Sequence, residues 1–151
     1  MKNNVKSLIA KIEGDDDTAR QDAITNLMFL MEESTKTIVK NNMIDDEHMS
    51  DDEQVEVIRV LLTLAESLRP EYSGLPWVVG KANPSIMIEP VQDFILKYVN
   101  TMPNEMLYQA LVALENCMVG TDFKDYKVIK SKFKHEQLLT DLRKLIHKTV
   151  S

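Results

Sequence analysis

The chain has 151 residues, of which 44% are hydrophobic and 28% charged, with a formal net charge of −6. That size suits one domain with a core of its own, and the apolar share argues against intrinsic disorder. A single cysteine, Cys117, rules out an intramolecular disulfide, and no apolar run approaches the roughly 20 residues needed to span a bilayer.

The N-terminal MKNNVKSLIAKIEG has neither the long apolar core nor the cleavage site of a signal peptide. The expectation is a folded, soluble, cytoplasmic chain without membrane association. Helical periodicity dominates from here on. Val5, Leu8, Ile9 and Ile12 fall on one helical face, and Gly14 is a natural stop. Thr18 and Gln21 have capping-box spacing. Behind them Ala23, Leu27, Leu30, Met31, Ser34 and Ile38 form a stripe that predicts a helix reaching about Lys40. A second capping box, Ser50 with Glu53, opens the series Val57, Ile58, Leu61, Leu64, Ala65 and Leu68, which Pro70 closes.

Pro90 suits a first helical position, followed by Val91, Phe94, Ile95 and Tyr98 on one face. Thr101 is a cap candidate with Pro103 in the first turn, ahead of Leu107, Ala110, Leu111, Leu114 and Met118, with Gly120 as the stop. Asp122 can open a shorter helix with Tyr126, Ile129 and Phe133. A last helix carries Leu138, Leu142, Leu145 and Ile146. The one strand candidate, Trp77-Val78-Val79, is too short to build a sheet. The fold class is therefore all-α, with about seven helices in a single domain spanning 1–151. Leu27, Leu61, Leu64, Leu111 and Leu114 are the expected core.

Three stretches look alike: DAITNLMFL at 22–30, RVLLTLAESL at 59–68 and QALVALENCM at 109–118. Aligning Ala23–Leu27, Val60–Leu64 and Ala110–Leu114 spaces them by 37 and then 50 positions, against roughly 40–47 for helical repeats. These segments resemble the inner helices of HEAT or armadillo repeats. The resemblance implies a short right-handed array of stacked helical hairpins. A closed helical bundle is the second architecture that the pattern allows.

Residues 70–90, PEYSGLPWVVGKANPSIMIEP, hold four of the five prolines, two of the four glycines and the only tryptophan. They read as a Pro/Gly-rich internal loop, a kind of segment that is often functional. Trp77, with Pro76, Val78 and Val79, is either an anchor for a partner or a plug of the core.

Charge is uneven: residues 1–75 hold sixteen acids and eight bases, residues 76–151 eight acids and ten bases. Six acids crowd into 45–53 (DDEHMSDDE). Asp51, Asp52 and Glu53 are explained by the dipole at a helix start. Asp45, Asp46 and Glu47 are not. The spacing lacks the glycine and placed glutamate of a calcium loop, and one histidine does not make a zinc site. Lys127, Lys130 and Lys134 line one side of a predicted helix. An anionic chain nonetheless repels phosphate backbones, so general nucleic-acid binding is not expected.

Catalysis finds no local motif: no nucleophile elbow, no phosphate-binding glycine loop, no cysteine pair, and three scattered histidines. The reading that follows is a non-enzymatic protein–protein interaction module of the type of a small acidic inhibitor, immunity or adaptor protein, with no cofactor. Its partner would carry a basic surface. Contact residues would be Asp45, Asp46, Glu47, Asp51, Asp52, Trp77, Lys127, Lys130 and Lys134. The alternative is a helical-bundle enzyme or metal-binding protein that uses the same carboxylate cluster.

Overall fold

The computed structural model describes residues 1–35 and 48–116. Among them are six α-helices and one 3-10 turn, with no strand: α1 (Asn3–Glu13), α2 (Asp17–Ser34), α3 (Asp51–Ala65), the 3-10 turn Pro70–Tyr72, α4 (Leu75–Val79), α5 (Pro84–Tyr98) and α6 (Asn104–Asn116). The all-α class holds. The expected helices beyond Gly120, and the sulfur of Cys117, lie outside the described residues.

The α1 stripe buries Val5, Ile9 and Ile12 against the core, and Leu8 packs beside them half-buried. The start of α2 differs from expectation. Asp16, not Thr18, is the cap, and its Oδ1 accepts the Ala19 N–H at 3.1 Å. A carboxylate one residue before the helix reaches that N–H directly. The next turn supplies Arg20, which is buried although charged. Its Nε donates to the Ile12 carbonyl at 3.2 Å and its Nη2 to the Gly14 carbonyl at 2.7 Å. Its Nη1 donates to Asp17 Oδ1 at 2.5 Å. One guanidinium therefore satisfies free carbonyls where α1 ends and binds a carboxylate where α2 begins. The Asp17 hydrogen bond raises the Arg20 pKa above its ordinary value, against the opposing effect of burial. At its far end α2 stops at Ser34, and the Thr35 N–H closes it on Glu32 and Glu33.

Ser50 caps α3 as expected, with its hydroxyl accepting the Glu53 N–H at 3.2 Å. Past the end of α3, Leu68 sits at φ 58°, a left-handed conformation that costs an L-residue roughly 1–2 kcal/mol. Its half-buried side chain packs on the core. Pro70 then opens the 3-10 turn.

Residues 70–90 are mostly helical and not an internal loop. They make the 3-10 turn, the whole of α4 and the first turns of α5. Three of the four prolines are compatible because Pro70, Pro76 and Pro84 occupy the opening turns of their elements, where no intrahelical N–H is needed. The strand candidate Trp77-Val78-Val79 lies inside α4. Its backbone is satisfied locally, Val78 N–H to the Gly74 carbonyl at 3.3 Å and Gly80 N–H to the Pro76 carbonyl at 2.9 Å.

Leu75, Val78 and Val79 are completely buried. The short α4 packs against α2, α3 and α6, the three helices that carry the look-alike stretches. Elsewhere α1 lies on α2, α3 on α5, and α5 on α6. At the end of α4, Gly80 has no room for a side chain: a Cβ there would lie 2.4 Å from Ala113 Cβ.

Two further starts are displaced. Helix α5 begins at Pro84, capped by Asn83, whose Oδ1 accepts the Ser85 N–H at 3.1 Å. Pro90 is thus inside the helix, not at its head. Thr101 does not cap α6. Its N–H bonds back to the Tyr98 carbonyl at 3.0 Å, closing α5, and the Pro103 carbonyl accepts the first helical bond of α6 from Leu107 at 3.0 Å. Of the five core leucines, Leu27, Leu61, Leu111 and Leu114 are buried. Leu64 is half-buried, at the margin of the α3 face that buries Val57, Ile58, Leu61, Leu62 and Ala65.

Candidate functional site

The most distinctive surface is one end of the molecule, where the end of α2 meets the starts of α1 and α3. Ser34, in the last turn of α2, is the pin. Its hydroxyl donates to the Leu30 carbonyl at 2.6 Å and accepts the Met49 N–H at 2.9 Å. That bond sets the last turn of α2, with Glu32 and Glu33, beside the first turn of α3, with Asp51, Asp52 and Glu53.

A second clasp brings in the start of α1. The Lys2 backbone N–H donates to Glu53 Oε2 at 2.5 Å, and the Lys2 ammonium donates to the His48 carbonyl. The Met1 ammonium lies 3.6 Å from Glu56 Oε2. The Ser50–Glu53 capping box is therefore only half formed: the hydroxyl caps, while the Glu53 carboxyl leaves its own helix to hold α1. Glu53 is 9% exposed, and its Oε1, shut off from solvent, accepts no hydrogen bond from the described residues. Burying a carboxyl oxygen without a donor is costly.

The segment Gly80–Asn83 reaches the same end. Lys81 Nζ lies 3.7 Å from Glu32 Oε2. Buried Gln54 accepts the Asn83 N–H on its Oε1 at 3.0 Å and donates from its Nε2 to the Met49 carbonyl at 3.4 Å.

Asp51 and Asp52 are exposed in the first turn of α3, one helical turn from Val55, an apolar side chain 52% exposed. Trp77 is half-buried and packs on the core, while Pro76, Val78 and Val79 are interior. Asp45, Asp46, Glu47, Lys127, Lys130 and Lys134 lie outside the described residues.

Glu32, Glu33, Glu56 and Lys2 were missed in the sequence, because only the Ser34 and Glu53 bonds bring their helix ends together. A hydroxyl on the apolar stripe of α2 was the one available hint, since a buried Ser needs a partner. Among the described residues no group of three or more His, Cys, Asp or Glu side chains is placed to hold a metal ion. No described helix is long and apolar enough to cross a membrane.

No family model, curated protein or solved structure matches the chain.

Proposed function

We propose that the chain is a non-enzymatic protein–protein interaction module that receives a basic partner on its acidic end. The observation that carries this reading is the convergence of carboxylates from separate helices. Glu32 and Glu33 come from α2, Asp51, Asp52 and Glu56 from α3. Among the described residues Lys81 lies on Glu32, and the start of α1 is held on Glu53 and Glu56. Helix capping explains Asp51 and Asp52 but offers no reason for the end of α2 to be acidic as well, since carboxylates there oppose the helix dipole. Exposed Val55 among them adds an apolar contact. Such a surface accelerates encounter with a basic protein and favours it over acidic competitors.

The test is kinetic. A partner captured with the intact chain is titrated by stopped-flow against wild type and the Asp51→Asn/Asp52→Asn variant. The variant should associate several-fold more slowly at low salt, and the difference should shrink as salt rises. Equal association rates at low salt would remove the acidic end as the interface.

A further inference from the structure

We draw no further inference here: the strongest candidate, the acidic surface patch where the end of α2 meets the first turn of α3, belongs to the site already described, and its buried carboxyl, Glu53, is held by the Lys2 N–H and points to no further ligand.

Discussion

Gln54 and Asn83 are joined across 29 positions: the side-chain oxygen of the first, fully buried, accepts the backbone N–H of the second at 3.0 Å. The same Asn83 caps α5 through its own side chain. One amide thus fixes the start of α5 on the start of α3. Gln54→Leu keeps the volume but strips the Asn83 N–H and the Met49 carbonyl of their partner. Urea unfolding should show a loss of about 1–3 kcal/mol. An unchanged midpoint and slope would mean that water replaces the amide at no cost.

Arg20 holds two free carbonyls at the end of α1 and a carboxylate at the start of α2 with one planar group. Arg20→Lys retains the charge and loses the fork, so its melting temperature should fall nearly as far as that of Arg20→Ala. The raised pKa of Arg20 means that the stabilisation from this contact is complete below the ordinary arginine pKa and disappears only as pH climbs through the still higher folded value. A scan from neutral to mildly alkaline pH should therefore leave the gap between wild type and Arg20→Ala constant. A gap that closes over that range would assign the stability to another group.

Gly80 has an ordinary helical φ of −62°, so space and not conformation demands glycine. A methyl there overlaps Ala113 Cβ at 2.4 Å and Cα at 2.9 Å. Gly80→Ala should lose about 1–3 kcal/mol through overpacking. Pairing it with Ala113→Gly should recover part of that loss in a double-mutant cycle. Strict additivity of the two changes would show that α4 and α6 do not meet there.

Pro90 lies inside α5 and brings no N–H for the Ile86 carbonyl one turn earlier. Pro90→Ala restores the donor and relieves the ring contact. Thermal unfolding should give a gain of as much as about 3 kcal/mol. A destabilised variant would indicate that the half-buried ring contributes more by packing than its missing hydrogen bond costs.

Leu61 and Leu64 separate interior from margin on a single helix. Leu61→Ala should cost about 2–5 kcal/mol, as expected for a fully buried leucine. Leu64→Ala should cost clearly less. Equal losses by chemical denaturation would place Leu64 in the interior as well.

The all-α class, the α1 stripe and the Ser50 cap were legible in the chain because they rest on local interactions: a 3.6-residue apolar period, and a hydroxyl three residues from an N–H. Where two local signals competed, the pattern alone chose wrongly. Thr18 and Asp16 can both cap α2, and the carboxylate prevails. Pro84 and Pro90 can both head a helix, and Asn83 caps the former. The run at 70–90 reads as a loop by composition, yet tertiary burial of Leu75, Val78 and Val79 among α2, α3 and α6 makes it a helix at the centre of the fold. The acidic end was half visible, in Asp51 and Asp52, because neighbours in sequence need no fold to be neighbours. Glu32, Glu33, Glu56 and Lys2 joined them only through the Ser34–Met49 and Lys2–Glu53 hydrogen bonds, the latter spanning 51 positions. The sequence by itself determined the helical class, the apolar stripes of the longer helices and the charges the chain carries. Which helix ends meet, and so where those charges gather, was decided by packing, because contacts between distant residues depend on how whole helices bury their faces together.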